Sequence, residues 1–141
     1  MDVIATVLTT QGVHLMSVDE IVRTYGAAWL EPDEDKRRQL LVQAWADDGT
    51  YTDPLRHLEG REALNRAIAT FQRQRPGERI VLTSDVDHHH EMVRFAWKWY
   101  GADSSTIMEG IDFGELASDG RLRRIVGFFG PLNELLPRGG E

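Results

Sequence analysis

From Ser17 onward the apolar positions recur first at helical spacing and then at alternating spacing, and that change of period organises the chain. Ser17 with Glu20 three residues later is a capping-box pattern, and Val18, Ile21, Val22, Tyr25 and Trp29 follow on one helical face. The spacing predicts a helix over 18–29 that buries Tyr25. Pro32 and Asp33 open a second helix, charged at its start, with Leu40, Leu41, Ala44 and Trp45 near its end, before Asp47, Asp48 and Gly49 break it. A short strand over 50–53 then sets Tyr51 and Asp53 on one side and Thr52 on the other, until Pro54 removes a ladder donor. After a loop to Gly60, the residues Leu64, Ala67, Ile68 and Phe71 form the stripe of a third helix over 61–74.

Past Pro76 and Gly77 the alternation takes over. It predicts four strands, over 79–86, 91–100, 105–116 and 122–129, and their short connections predict an antiparallel meander. In the second, Val93, Phe95, Trp97 and Trp99 make an aromatic inner face opposite Arg94, Lys98 and Tyr100. Three helices leading into one sheet predict an α+β fold with one sheet face covered by helices. Residues 1–16 show no lasting period and are expected to be a flexible N-terminal arm, or to precede a later true start at Met16. A single domain is expected over 17–136, with a C-terminal tail over 137–141.

Composition narrows the chemistry. A length of 141 residues with 41% hydrophobic content suits one core. There is no cysteine, which excludes disulfides, thiolate metal sites and a cysteine nucleophile. No apolar run approaches the ~20 residues of a membrane span, and the N-terminal stretch lacks the pattern of a secretory signal, so a cytoplasmic protein is expected. The formal charge of -7 speaks against nucleic acid as a partner, and the Arg37–Arg38 pair and the cluster of Arg121, Arg123 and Arg124 read as solvated faces. His88, His89 and His90 are consecutive, so in extended chain they point to alternate sides and no metal site is expected. Elements of a serine-nucleophile elbow or a phosphate-binding loop are absent.

The informative acids are those on inner faces. Asp53 shares its side with Tyr51 beside the end of an apolar helix, although an Asp-Pro pair also serves simply to start a turn. Asp112 shares a face with Met108, Gly110, Gly114 and Leu116, where an acid must be paired, hydrogen-bonded or neutral. In the opposite register Ile107, Ile111 and Phe113 are buried and Glu109 is the inward acid. Tyr25 is either a donor into a pocket or a core residue with its hydroxyl at the rim. His57, in the loop after Pro54, either lines a pocket mouth or is solvated.

The order of elements, the segment WADDGTYTDP at 45–54 and GREAL at 60–64 resemble the nuclear transport factor 2-like (SnoaL-like) superfamily, over most of the chain from Val18 to Asn133. The resemblance implies a cone-shaped fold in which three helices pack on a curled antiparallel sheet that encloses an apolar pocket, commonly as a homodimer across the open sheet face. In motif the chain is most similar to the ketosteroid isomerases. That similarity implies Asp53 as the catalytic base before proline, Tyr25 as an oxyanion donor, and Asp112, in an Ile-Asp pair ahead of Gly120-Arg121, as a second, protonated donor. It further implies a small apolar substrate, no cofactor, and a pocket wall of Tyr51, His57, Trp97, Trp99, Ile125 and Phe129. It is incomplete in helix three, where Ile68 stands at the place of a supporting tyrosine. Two alternatives stay open: a SnoaL-like polyketide cyclase relying on Asp112, and a non-catalytic ligand-binding module.

Overall fold

The computed structural model describes residues 4–9 and 12–137. Of the expected tail only Pro137 is described, and it is exposed; residues 138–141, together with 1–3, 10 and 11 of the expected arm, lie outside the described residues.

The elements in chain order are β1 (Ile4–Thr9), β2 (Gly12–Ser17), α1 (Val18–Leu30), α2 (Glu34–Ala44), β3 (Trp45–Asp53), β4 (Arg56–Glu59), α3 (Arg61–Gln74), β5 (Arg79–Leu82), β6 (Asp87–His89), β7 (Met92–Tyr100), β8 (Thr106–Leu116) and β9 (Leu122–Phe129). The three helices fall where periodicity predicts them. Ser17 caps α1 in a full capping box with Glu20, and Asp33 caps α2 by accepting from the Lys36 amide at 2.9 Å. Gly60 precedes α3 with φ at +88°, a backbone conformation that needs glycine.

Two hairpin strands, β1 and β2, pair antiparallel as a separate two-stranded sheet, in a segment whose sequence shows no strand period. The main sheet runs β4-β3-β9-β8-β7-β5, with β6 beside β7. It is mixed rather than wholly antiparallel, because β3 lies parallel to β9. Short connections predict neighbours within the meander but say nothing about where the earlier strand docks, and β3 closes onto the last strand. β3 also begins at Trp45, earlier than expected. The Asp47-Asp48-Gly49 run that reads as a helix breaker is an irregularity within this strand, where the pairing with β9 shifts between Trp45 and Thr50. The predicted strand over 79–86 is cut to β5, and the presumed loop at 54–60 contains β4, paired to β3 through Asp53 and Arg56.

The helical stripes pack on the inner face of the sheet. Ile21, Val22, Tyr25, Leu41, Leu64 and Ile68 meet Val93, Phe95, Leu116, Leu122 and Ile125, all buried. Each such large side chain contributes about 1.5–3 kcal/mol through removal of apolar surface from water. Ile68, at the place of the missing tyrosine, is fully buried core. Arg37 departs from its predicted solvated position: it is buried, donating to Asn65 Oδ1 at 2.5 Å and to the Glu31 carbonyl at 2.8 Å. The α2–α3 contact therefore carries a charge held by neutral acceptors. His88 and His89 alternate along β6, but His90 turns back at φ of 49°, so the His89 and His90 rings meet edge to face at 5.3 Å.

β8 resolves the question of register. Gly110, Asp112, Gly114 and Leu116 are buried on the inner face, while Ile107, Ile111 and Phe113 stay exposed on the outer one. Asp112 is thus the inward acid and Glu109 is exposed. Among the described residues no helix is long and apolar enough to cross a membrane.

Candidate functional site

Where the sheet curls away from the helices it leaves a cavity of about 230 Å³, walled by aromatic side chains from α1, α3, β7 and β9. Tyr25, Tyr51, Asp53, Trp97, Trp99, Asp112 and Phe129 all line it. All seven are residues assigned to a pocket or its chemistry at the level of sequence, and the fold brings them to one cavity. His57 does not line the cavity: β4 turns it outward, where its ring nitrogens meet Thr52 Oγ1 at 2.7 Å and Glu59 Oε1 at 3.3 Å. Ile125 is also absent from the wall, because it lies four residues before Phe129 on β9, in the fully buried core.

Asp53 ends β3 with its side chain only 5% exposed. Its Oδ1 accepts from the backbone N–H of Leu55 at 2.8 Å and of Arg56 at 3.1 Å, so the turn-forming role expected of an Asp-Pro pair is real. Its Oδ2 accepts from the Tyr51 hydroxyl at 2.7 Å, with the Arg56 guanidinium at 3.7 Å. The carboxylate is therefore both a structural cap and a cavity group.

Asp112 sits in the middle of β8, between Phe95 on β7 and Gly127 on β9. The Trp97 indole N–H donates to its Oδ1 at 2.9 Å, and that is its sole side-chain hydrogen bond among the described residues. Two glycines make this geometry possible. A Cβ at position 110 would overlap the Trp97 indole, so only glycine lets the ring cross to the acid two residues along the strand. A Cβ at position 127 would come 2.7 Å from Asp112 Oδ1 and 3.6 Å from the Asp53 Cβ, so the two acids approach each other over bare backbone.

The same closeness governs protonation. Burial pushes the Asp112 carboxyl up to about 7, against the lowering effect of the Trp97 hydrogen bond and with help from the charge of Asp53. Tyr25, stacked on Trp45 with ring centroids 5.4 Å apart, has its hydroxyl pushed well above the usual tyrosine range by burial first, then by Asp112. Burial likewise raises Tyr51. Both phenols stay protonated and able to donate at any ordinary pH.

Several wall residues escape sequence reading. Trp29 and Phe71 occupy helical stripes that sequence alone assigns to core, and they meet edge to face at 6.1 Å. Arg56 and Arg75 line the cavity but look like ordinary surface charges in a loop and at a helix end. No cluster of histidine and carboxylate side chains suited to a metal ion occurs among the described residues.

No family sequence model matches the chain, and no curated protein does. Solved structures do. A protein from Agrobacterium tumefaciens, a candidate isomerase of the SnoaL-like family, is 37% identical, with 79% of this chain and 95% of that one covered at a TM-score of 0.73. A candidate SnoaL-like polyketide cyclase from Jannaschia sp. CCS1 shares the fold at 15% identity, with coverage of 77% and 84% and a TM-score of 0.59. An NTF2-like protein of unknown function from Cytophaga hutchinsonii does so at 13% identity, with coverage of 81% and 90% and a TM-score of 0.61. The identity over nearly the whole of the Agrobacterium protein, with the fold and pocket described above, makes this chain a member of the SnoaL-like family within the nuclear transport factor 2-like superfamily.

Proposed function

We propose that this protein is a cofactor-independent isomerase that moves a proton beside the carbonyl of a small, largely apolar ketone. The observation that carries the reading is the pair of cavity acids in contrasting surroundings across Gly127, one rich in donors and one dry. Asp53 serves as the base. It takes a proton from the carbon between a carbonyl and a double bond, the electrons move onto the carbonyl oxygen as an enolate, and Asp53 returns the proton to the far end of the conjugated system. Protonated Asp112 and Tyr25 donate hydrogen bonds to that oxygen as its charge develops. With Trp97 held on Oδ1, Oδ2 is the oxygen of Asp112 left to carry the donated proton.

The cavity volume favours a substrate of one or two rings. A dry cavity of roughly 150 Å³ already accepts benzene, while drug-sized ligands occupy roughly 300–1,000 Å³. The bulk of Trp97 and Trp99 therefore argues against a four-ring steroid buried whole.

A second reading has its own support. Both oxygens of Asp53 are engaged by donors, whereas Asp112, at about 7, is poised to exchange a proton near neutrality. In a cyclase acting on a polyketide-like ester, Asp112 would itself be the acid–base group. The two readings predict opposite pH profiles: kcat/KM falls through pH 7 if Asp112 must be protonated, and rises if it is the base. The decisive assay follows the absorbance of a conjugated enone formed from a one-ring β,γ-unsaturated ketone. Conjugation by the wild type and its loss in Asp53→Asn support the isomerase; no conjugation with any such ketone removes it.

The exposed outer face of the sheet, with Ile111 and Phe113 on β8 and Phe128 on β9, also fits a homodimer formed face to face.

A further inference from the structure

We propose that the substrate is an oxo acid, whose carboxylate is gripped at the cavity wall by Arg56 and Arg75 while its carbonyl points to Tyr25 and Asp112. The assignment of the carbonyl end rests on the proton-transfer reading; the carboxylate end rests on the two arginines alone.

Two guanidinium groups stand at the open edge of a cavity whose other walls are mainly aromatic and aliphatic, Arg56 with its side chain 38% exposed and Arg75 with 53%. Their hydrogen-bonding capacity is unspent. Among the described residues neither donates a side-chain hydrogen bond: the nearest carboxylate oxygens are Asp53 Oδ2 at 3.7 Å from Arg56 Nε and Glu78 Oε2 at 3.6 Å from Arg75 Nη1. Both acids are committed elsewhere. Asp53 accepts from Tyr51, Leu55 and Arg56 backbone groups and hydroxyl, and Glu78 accepts from the Trp99 indole at 2.8 Å. Four arginines elsewhere, Arg23, Arg38, Arg94 and Arg123, each donate to a carboxylate at 3.1 Å or less.

Arg75 is also held in place. Its guanidinium lies over the Trp99 ring, 5.2 Å from the centroid, and Trp99 is anchored by Glu78. This cation–π contact holds the guanidinium at the cavity edge, and a guanidinium there is suited to bidentate recognition of a planar carboxylate. Asp53 stands beside Arg56 and Glu78 beside Arg75, so the two guanidinium groups bring this part of the wall close to neutral in a chain of net charge -7. An anion approaching there meets less repulsion than over the rest of the acidic surface. Gln74, beside Arg75 on the wall, adds a neutral donor to the same side.

The test is calorimetric titration with para-hydroxycinnamate and with its carboxamide. These probes share one ring and a phenol that imitates the enolate, and differ only in the charge of the far end. The acid should bind about tenfold or more tighter than the amide, as expected for charge-assisted hydrogen bonds. Arg75→Met should erase most of that preference and Arg56→Met part of it, each leaving amide affinity within about twofold, which shows that the pocket itself is intact. Equal affinities in the wild type, failure of both probes to bind, or a preference undiminished in both variants would each overturn the assignment. Because binding is read without turnover, the outcome is separable from the isomerase reading. If no β,γ-unsaturated ketone is conjugated but the acid preference and its loss in Arg75→Met are found, proton transfer fails and carboxylate recognition stands.

Discussion

Asp53 and Asp112 face the same cavity from strands on either side of β9, yet the chain treats them in opposite ways. Asp53 sits at a strand end, where the turn after it supplies two backbone donors and Tyr51 a third. Asp112 sits in mid-strand, where every backbone donor is spent on the ladder and only the Trp97 indole reaches it. Position along a strand thus decides which acid is solvated by protein dipoles and which is left dry. The proposed division into a base and a neutral acid would then arise from one residue type through position alone.

The largest expected effect is at Asp53. Asp53→Asn is expected to lower kcat toward a β,γ-unsaturated ketone by about 10²–10⁴-fold, with the fold retained by circular dichroism because the amide oxygen still accepts from the turn. A loss of less than tenfold would make Asp53 a turn residue only.

Asp112→Asn acts on stability as well as activity. A carboxyl raised from 3.8 to about 7 by folding binds its proton more tightly in the native state, so its stabilising contribution is present below the unfolded value near 4 and is lost as pH rises through about 7. The asparagine variant escapes that loss. It should be more stable than wild type at pH 8 by an amount on the order of 4 kcal/mol, with the advantage vanishing near pH 4, while activity falls. Thermal melts at the two pH values check this, and equal stability differences at both would contradict it.

Trp97→Phe has a smaller expected effect. It removes the one hydrogen bond that lowers the Asp112 value, so the fall in kcat/KM should move to higher pH, at a stability cost of about 1–3 kcal/mol. Smallest for the chemistry is the outer face. Phe128→Asp should convert a dimer to monomer in sedimentation measurements and leave the two acids untouched, since Phe128 is 58% exposed and points away from the cavity wall.

Much of this site is legible in the sequence because period-two alternation fixes which residues share a face. Tyr51 with Asp53, and Phe95 with Trp97 and Trp99, follow from counting alone. Asp112 requires one fact that counting lacks: which face of β8 is inward. The glycines at 110 and 114 hold the answer, since small residues beside an acid leave room for a ring from the next strand, as Trp97 demonstrates. The parallel docking of β3 on β9 is invisible locally, because it joins segments some seventy residues apart. His57 stands outside the cavity because β4 turns it outward, and Ile125 is misplaced for a related reason. The inner face of one sheet serves core at one end and cavity at the other, and a residue's face does not reveal which end it occupies. Arg37 misleads because an arginine reads as solvent-facing until its surroundings are known, whereas Arg56 and Arg75 are exposed and only the fold brings them to the cavity edge.

The contrast between the two acids is tested most directly by carbon-detected NMR titration of the aspartate carboxyls in the folded protein, with Asp112→Asn used to assign the signal. Asp112 should titrate near pH 7. A midpoint in the ordinary carboxylate range near 4 would mean that the acid is solvated and charged throughout, and the neutral donor at the heart of the proposed chemistry would not exist.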